Sequence, residues 1–342
     1  MVLYIIIYIA LFLYALFFNK NTFFLLVTLF LFSFLIGFRA LSVGVDTMTY
    51  SMMYKSIGIG GYNGYPEWGF GFLCQFFYGL GFTFPLFQTC LCFFTLSFSY
   101  YVIYKKSPYP GFSVFCLYTM FFIFYTMNIN RQIMASFILL LAYYFFLQNS
   151  RKGTILFLFL VVFACGFHSS AVLALSLFFI YKIPMNKALV FFLLIGSFVL
   201  GISITNDFLD PLIGGYDKYL NTTQGARTFD RTLLAVFLCS YWSLLFFFIL
   251  FTSKRFFVES KYMKIYLFVT LINNVLIKQE LGIRIMLLIS IIQILIFPLY
   301  IQNTVLSKKI AMIFIMFLLS IFFFTFLLNN SSGVVPYKLN TI

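Results

Sequence analysis

The sequence predicts an all-α, polytopic membrane protein. Of its 342 residues, 63% are hydrophobic and 9% are charged, whereas a soluble domain carries about a quarter charged residues. The mean hydropathy is +1.05. Apolar runs of about 20 residues recur along the chain, long enough to cross ~30 Å of hydrocarbon as helices. We therefore expect a single integral-membrane domain over residues 1–342.

Helical spans are expected at the apolar runs, about twelve in all. The first run has no basic segment before it and no small-residue cleavage site after it, so we interpret it as a retained span rather than a signal peptide. The six cysteines are scattered without metal-ligand spacing and fit small core residues. The expected spans are 2–18, 22–38, 85–104, 111–127, 131–148, 153–167, 170–182, 187–205, 231–252, 264–277, 283–301 and 310–328.

The charges of the connections indicate how the chain is oriented. The connections between the expected spans fall alternately on the two sides of the membrane and so form two groups. The charged residues of the first group sum to +12 and those of the second to +2, which together give the net charge of +14. Because cytoplasmic loops carry an excess of Lys and Arg, the first group is predicted to face the cytoplasm and both termini to face outward. The first group holds Lys20, Lys105, Lys106, Arg151, Lys152, Lys182, Lys187, Lys254, Arg255, Glu259, Lys261, Lys264, Lys308 and Lys309. The second group holds Arg39, Asp46, Lys55, Glu67, Arg131, Asp207, Asp210, Asp217, Lys218, Arg227, Asp230, Arg231, Lys278, Glu280, Arg284 and Lys338.

Two stretches are expected to remain on the outer side. Residues 39–84 are predicted to form an outer-face loop with an interfacial or re-entrant segment at 66–84, because its apolar part is short for a crossing and is broken by glycine and proline. If this segment crossed, Lys105 and Lys106 would lie outside and every later loop would invert. The second stretch is the polar loop 206–230, and long loops of this kind often carry function.

One helix junction on the predicted outer side has the composition of a binding site. Residues 128–132 separate two long apolar runs, and Arg131 is the only charge between Lys106 and Arg151. An arginine beside a membrane segment is costly unless water, a partner or a ligand receives it. We therefore predict that Arg131 helps to hold an anionic, lipid-linked substrate.

The other polar residues of the outer face also have structural interpretations. Arg39 can extend its charge to water at a helix end or pair with Asp46. A lone histidine such as His168 is most often a satisfied core or turn residue. Arg284 can pair with Glu280, four residues earlier on a helix, and the charges of the 206–230 loop fit a solvated loop. What favours a site is that separated arginines, carboxylates and the only histidine all fall on one predicted face.

The residue types also indicate the class of ligand. Guanidinium groups bind phosphate oxygens in pairs and keep their charge, so converging arginines suit a diphosphate. One histidine and no cysteine pair make a poor ligand set, and no metal site is predicted. The chain lacks a P-loop and the glycine set of a dinucleotide fold. The excess of cations is explained by topology, and nucleic acid is not an expected partner.

The predicted outer face carries a series of short motifs. They are Gly37-Phe38-Arg39, Gly44-Val45-Asp46-Thr47 with Tyr50, Glu67-Trp68-Gly69-Phe70, Asn130-Arg131-Gln132 with Ala135, and Phe167-His168-Ser169-Ser170-Ala171. In order and spacing these motifs resemble those of the EpsG-like group of polysaccharide polymerases, which resemble the Wzy-type O-antigen and capsule polymerases of the bacterial cytoplasmic membrane. The resemblance runs over about residues 30–185, and the rest of the chain agrees mainly in topology.

The resemblance implies a GT-C-like membrane glycosyltransferase that needs no cofactor and no nucleotide sugar. It would transfer a glycan from undecaprenyl diphosphate to the non-reducing end of another undecaprenyl-diphosphate-linked repeat unit. The multi-pass protein would lie in the bacterial cytoplasmic (inner) membrane with its active face toward the periplasm. Its partners are then the lipid-linked oligosaccharide and membrane lipid. A protein that regulates chain length is a further candidate partner.

On this hypothesis the candidate residues divide into two roles. Arginines would stabilise the departing diphosphate, and a carboxylate or the histidine would activate the acceptor hydroxyl. The diphosphate-binding candidates are Arg39, Arg131, Gln132, Arg227 and Arg284. The catalytic candidates are Asp46, Glu67 and His168. Aromatic residues that can stack on sugar rings, or anchor the chain at the interface, are Tyr62, Tyr65, Trp68 and Tyr216.

Three other functions are considered. A flippase for the same repeat unit would favour ionisable groups at mid-membrane depth and inverted repeats, and the sequence shows neither. A membrane O-acetyltransferase needs a route for its acyl donor from the cytoplasm and a histidine beside it, whereas His168 is predicted outside. A structural scaffold would leave the one-sided set of arginines unexplained.

Overall fold

The apolar runs form helices in a computed structural model of the chain, which describes residues 1–61, 67–203, 231–276, 280–330 and 332–340. The first eight helices are α1 (Val2–Phe17), α2 (Thr22–Gly37), α3 (Thr47–Gly58), α4 (Trp68–Gly79), α5 (Phe84–Lys106), α6 (Pro110–Thr119), α7 (Phe122–Thr126) and α8 (Asn130–Phe146). The later ones are α9 (Arg151–Cys165), a 3₁₀ segment (Ser169–Ser176), α10 (Leu177–Ile180), α11 (Lys187–Ser203), α12 (Arg231–Thr252), α13 (Arg255–Val258), α14 (Lys261–Leu276), α15 (Glu280–Ser290), α16 (Gln293–Asn303) and α17 (Lys308–Asn329). The described ranges contain no β-strand, and Arg39 pairs with Leu339 in an isolated bridge.

The structure confirms that the described chain is helical, as predicted for a helical membrane protein. By length and composition, α5 and α17 are long and apolar enough to cross a membrane, and several shorter helices are similarly apolar. The count of twelve spans stays a prediction, because most of the helices have fewer than the roughly 20 residues that a perpendicular crossing needs.

Three of the predicted spans are interrupted. The run 111–127 is divided into α6 and α7 at Phe121, whose φ of 67° is left-handed. This conformation is unfavourable for a residue with a Cβ; the Phe121 ring contacts those of Phe124 and Phe323, with centroid distances of 4.7 and 5.6 Å. The run 283–301 is divided between α15 and α16, and the run 170–182 begins as the 3₁₀ segment.

Side-chain caps mark the start of two helices. The Oδ1 atom of Asn21 accepts hydrogen bonds from the backbone N–H groups of Phe23 (2.9 Å) and Phe24 (3.4 Å) at the start of α2. Ser150 Oγ accepts one from Gly153 N (2.9 Å) at the start of α9. Both caps satisfy backbone donors that have no partner within the helix, so local sequence determines where these helices begin.

The contacts divide the chain into two compact units. One consists of Met1–Ser176 with Leu288–Ile342, and the other of Leu177–Leu287. In the second unit, Asn274 Nδ2 donates hydrogen bonds to Ser197 Oγ (3.1 Å) and Ser243 Oγ (3.0 Å), which joins α14 to α11 and α12. Amide and hydroxyl pairs of this kind hold membrane helices together. The candidate site lies in the first unit.

One end of the first unit collects its lysine-bearing connections, and we call it the lysine end. Asn19 accepts hydrogen bonds from the backbone N–H groups of Gly111 (2.9 Å) and Phe112 (3.0 Å), which joins the α1–α2 connection to the start of α6, directly after the α5–α6 connection. Lys106 Nζ lies 5.5 Å from the ring centroid of Tyr144, near the end of α8. These contacts agree with the first of the two groups of connections predicted from charge.

The other end of the first unit, here called the polar end, collects residues 38–47, 67, 127–132, 166–168, 330 and 332–340. Ala40 N donates a hydrogen bond to Lys338 O (2.8 Å), and Val45 N donates one to Asn128 Oδ1 (2.6 Å). Segments that are far apart in sequence are therefore hydrogen-bonded to one another at this end.

Helices α3 and α4 belong to the polar end. The hydroxyl of Tyr54 on α3 donates to Phe82 O (2.8 Å), in the connection between α4 and α5. The Tyr54 ring also stacks on that of Phe87 in the first turn of α5, with a centroid distance of 4.5 Å. The connection after α4 therefore packs against α3. With 12 residues, α4 is about 18 Å long and too short to cross the hydrocarbon. It exposes an apolar stripe that includes Phe72 and Phe76. This helix lies within the segment predicted at 66–84, and its place in the membrane interface stays a prediction.

Candidate functional site

A close approach of two chain segments sets the geometry of the site. The backbone N–H of Phe70 donates to Gly166 O (3.0 Å), just after the end of α9. A Cβ on Gly69 would lie 2.9 Å from Gly166 O, and a Cβ on Gly166 would lie 2.7 Å from the Trp68 ring. Glycine at both positions allows the start of α4 to contact the end of α9. As a result Glu67, directly before α4, lies beside His168.

Three charged or titratable side chains meet at this contact. Arg131 Nη1 donates a hydrogen bond to Glu67 Oε2, and His168 Nδ1 lies 3.2 Å from Glu67 Oε1. Their side chains are partly open to solvent, with exposed fractions of 17% for Glu67, 24% for Arg131 and 25% for His168. We call these three residues the Glu67 cluster. It unites candidates that are 64 and 101 residues apart in sequence.

Aromatic rings and a helix terminus surround Arg131. Its guanidinium carbon lies 6.0 Å from the Tyr50 ring centroid and 5.7 Å from that of Phe70, distances at which a ring face attracts a cation. Arg131 is the second residue of α8; the residue before this helix, Ile129, makes no side-chain cap, and Tyr50 is hydrogen-bonded to the backbone and side chain of Arg131. The backbone N–H groups of a helix N-terminus favour an anion. The helix terminus and the guanidinium therefore both suit a negatively charged ligand.

The environment of Glu67 determines its protonation. Burial favours a raised pKa for this carboxyl, but the hydrogen bond from His168 and the charge of Arg131 outweigh burial, so the pKa of Glu67 is lowered from its ordinary value. Glu67 is therefore a carboxylate at neutral pH, and His168 Nδ1 must donate to it. In the neutral imidazole the other nitrogen, Nε2, is then a hydrogen-bond acceptor.

Tyr50 and Asp46 lie next to the cluster on α3 and at its start. Burial raises the pKa of Tyr50, the charge of Arg131 opposes this rise, and the charge of Asp46 adds to it. Tyr50 N donates to Asp46 O (3.0 Å), which places the half-buried Asp46 one helical turn before Tyr50. Asp46 is thus in the neighbourhood of the cluster, and its catalytic role stays a prediction.

The two neighbours of Arg131 on α8 are buried. Asn130 Nδ2 donates to Gln88 Oε1 and joins the first turn of α8 to α5. Gln132 is 3% exposed, and its backbone carbonyl accepts a hydrogen bond from Ser136 Oγ (3.1 Å). Asn130 therefore fixes the position of the helix start, and a role of Gln132 in diphosphate binding stays a prediction.

The structure places Arg39 among backbone carbonyls of the polar end. Its Nε donates to Thr47 Oγ1 (3.1 Å), its Nη2 donates to Met127 O (3.1 Å), and its Nη1 donates to Ile36 O. Burial lowers the pKa of Arg39 to about 10, so it remains charged at neutral pH. These partners differ from those of Arg131. Diphosphate binding by Arg39 stays a prediction, and its hydrogen bonds favour a different role.

Comparison with known proteins gives one match. The EpsG family profile matches residues 21–339, which is nearly the whole chain. The chain belongs to the EpsG family. This EpsG-family protein is accordingly a polysaccharide-related membrane enzyme, and the resemblance drawn from its motifs is confirmed. No curated protein and no solved structure matches the chain.

Several candidates of this EpsG-family chain fall outside the described residues. They are Arg227, the side chains of Glu280 and Arg284, the loop 206–230, and the aromatic residues Tyr62, Tyr65 and Tyr216. Trp68 is described, and it is exposed at the start of α4. Among the described residues, no group of three His, Cys, Asp or Glu side chains lies close enough together to hold a metal ion.

Sequence reasoning gave no site role to three residues of the site. Phe70 and Tyr50 were noted only as members of the motifs, and Gln88 was not noted. Tyr50 had a usable signal, since Asp46 and Thr47 are typical of a helix start and place Tyr50 on the first turns of α3. Predicting that helix would have indicated a helical face that could approach Arg131.

Proposed function

We propose that this EpsG-family protein polymerises lipid-linked oligosaccharide repeat units. The hydroxyl oxygen at the non-reducing end of one unit attacks the anomeric carbon of the glycan carried by another undecaprenyl diphosphate. A new glycosidic bond forms, and the bond between the anomeric carbon and the diphosphate oxygen breaks. The bonding electron pair leaves with undecaprenyl diphosphate, and the hydroxyl proton passes to a base on the protein.

The Glu67 cluster is the observation that carries this proposal. One oxygen of the Glu67 carboxylate binds Arg131, a permanent cation, and the other binds His168, the proposed proton acceptor. The family to which the chain belongs is a polysaccharide family. Glycosyl transfer from a diphosphate needs both groups: a cation for the leaving group and a base for the attacking hydroxyl. In this proposal Arg131 binds the diphosphate together with the N-terminus of α8, and Arg227 and Arg284 remain further candidates for its oxygens.

His168 is the base in this proposal, and Glu67 orients it. A lowered pKa makes Glu67 a weak proton acceptor, since an efficient base has a pKa near the working pH. By accepting from Nδ1, Glu67 holds the imidazole with Nε2 free for the hydroxyl proton and stabilises the imidazolium that forms. Asp46 is kept as the second candidate for the base because it lies one helical turn before Tyr50, whose ring contacts Arg131.

The polar end faces the periplasm in this proposal. Seven cations without an acid among them lie at the connections of the lysine end, namely Lys20, Lys105, Lys106, Arg151, Lys152, Lys308 and Lys309, and such an excess is typical of the cytoplasmic side. The exposed apolar stripe of α4 fits a helix in the headgroup zone, beside the place where a lipid diphosphate would lie.

Deletion of the gene in its natural bacterial host tests this function. We expect the deletion strain to carry single repeat units on its surface and no long chains, because units still cross the membrane but are not joined. Electrophoresis of the surface polysaccharide measures the chain length. Near-complete absence of units would indicate a flippase instead, and chains of normal length would indicate a modifying enzyme such as an acetyltransferase.

A further inference from the structure

Arg39 binds the C-terminal ends of two helices at once. Ile36 lies in the last turn of α2 and Met127 directly follows α7, and both carbonyls accept hydrogen bonds from the Arg39 guanidinium. The last carbonyls of a helix have no partner within the helix, and the helix dipole makes this end favourable for a cation. Arg39, which is 2% exposed, thus fixes the end of α7 relative to α2.

The loop after Arg39 contacts the same carbonyl. The Thr47 hydroxyl lies 3.2 Å from Met127 O. Gly44 has a φ of +89°, and a Cβ there would lie 2.6 Å from Met127 O. Glycine is therefore required at position 44 both by its backbone conformation and by the contact with Met127.

Asn128 continues this arrangement one residue later. Its Oδ1 accepts from Val45 N (2.6 Å), and its Nδ2 donates to Ser332 O (3.0 Å). The C-terminal segment also accepts a hydrogen bond from Gly44 N at Gly333 O (2.9 Å). Met127, Asn128 and Ile129 form the whole connection between α7 and α8, so these bonds determine where α8 begins and where its second residue, Arg131, lies.

We propose that Arg39 and Asn128 are positioning residues that hold Arg131 against Glu67, and that the C-terminal segment 332–340 completes this support. The inference rests on the proposed function, because it concerns the placement of the diphosphate-binding arginine. Arg39 contributes through Met127 and the start of α8, and its donors are directed to backbone carbonyls and to Thr47. It binds no diphosphate itself.

Arg39→Lys and Asn128→Ser test the proposal in membranes supplied with the host's own lipid-linked repeat unit. Lysine keeps the charge of Arg39 but cannot bridge the carbonyls of Ile36 and Met127 and the Thr47 hydroxyl at once. Serine shortens Asn128 so that both of its bonds are lost. We expect each variant to reduce the turnover per protein molecule about 10- to 100-fold, since a displacement of about 1 Å has that effect on catalysis. The apparent KM for the repeat unit should change less than about twofold, because Arg131, which Arg39 positions, is proposed to stabilise mainly the charge that develops on the departing diphosphate.

Lys55→Ala is the matched control, because Lys55 is an exposed cation on α3 at the same end of the unit; its turnover should equal that of the unaltered protein. A raised KM in Arg39→Lys would show that Arg39 binds substrate and would overturn the proposal. Unchanged turnover per molecule, with or without a loss of protein, would also overturn it. If the Arg39→Lys protein does not accumulate in the membrane, the turnover and the apparent KM of Asn128→Ser are judged by the same criteria.

The same assay separates this inference from the proposed function. If Arg131→Ala abolishes polymerisation while Arg39→Lys and Asn128→Ser are fully active, only the positioning role is wrong. If Arg131→Ala also leaves chain length and turnover unchanged, the proposed function itself fails.

Discussion

Replacing Arg131 by alanine should abolish long-chain polysaccharide and leave single repeat units. The substitution removes the cation proposed to stabilise the departing diphosphate, and loss of one such electrostatic group typically lowers a rate by about 10²- to 10³-fold. It also leaves the half-buried Glu67 without its charged partner, so that the pKa of Glu67 rises and His168 loses part of its anionic support. The measurement is the chain-length ladder in a deletion strain that expresses the variant, with the protein level determined in the same membranes.

Arg131→Lys and Arg151→Ala are the controls for this prediction. Lysine keeps the charge but cannot form two parallel bonds to a phosphate, so Arg131→Lys should give short chains at a reduced rate. Arg151 is an exposed arginine at the lysine end, and Arg151→Ala should give a normal ladder. A normal ladder from Arg131→Ala at an ordinary protein level would refute the role of Arg131.

Replacing Glu67 by glutamine should have the second large effect, a fall in turnover of about 10²- to 10⁴-fold. Glutamine is nearly isosteric, but it carries no charge to pair with Arg131 or to stabilise the imidazolium of His168. Its amide can also donate to His168 Nδ1, which favours the tautomer that is protonated at Nε2. In that tautomer Nε2 cannot accept the hydroxyl proton. Turnover of the host's lipid-linked unit in membranes, per molecule of protein, is the quantity to measure.

The combination of Glu67→Gln with His168→Ala shows whether the two residues act as one unit. Residues of one catalytic unit are strongly non-additive, so the double variant should be about as slow as the slower single variant. Glu67→Asp, which keeps the charge on a shorter side chain, should retain part of the activity. Independent, additive losses would contradict the orienting role of Glu67, as would a Glu67→Gln variant with more than half of the normal turnover.

The sequence was informative where local composition determines structure. The apolar runs predicted the helices, and the polar stretch 128–132 predicted the junction on which the polar end is built. Arg131, Glu67 and His168 were predicted to share one face, and the structure brings them into contact. Their shared face followed from a general rule, because alternate connections lie on the same side of a membrane, whereas the pairing of the three side chains was not predicted.

Other features depend on contacts that no local pattern contains. The break at Phe121 is made by a residue that is neither glycine nor proline, and its ring contacts Phe323, some 200 residues later in the chain. The role of Arg39 depends on the carbonyl of Met127, 88 residues away, and an arginine in a motif gives no sign of whether it binds a ligand or the backbone. The segment 332–340 contributes through backbone carbonyls, which any sequence supplies.

The structure of the protein in a lipid bilayer with undecaprenyl diphosphate bound tests the central claim most directly. The claim is that Arg131, held beside Glu67 and His168 at the start of α8, receives the diphosphate at the outward-facing end. We expect a phosphate oxygen within hydrogen-bonding distance of the Arg131 guanidinium and of the first backbone N–H groups of α8. A diphosphate bound at the lysine end, or at the polar end away from Arg131, would contradict it.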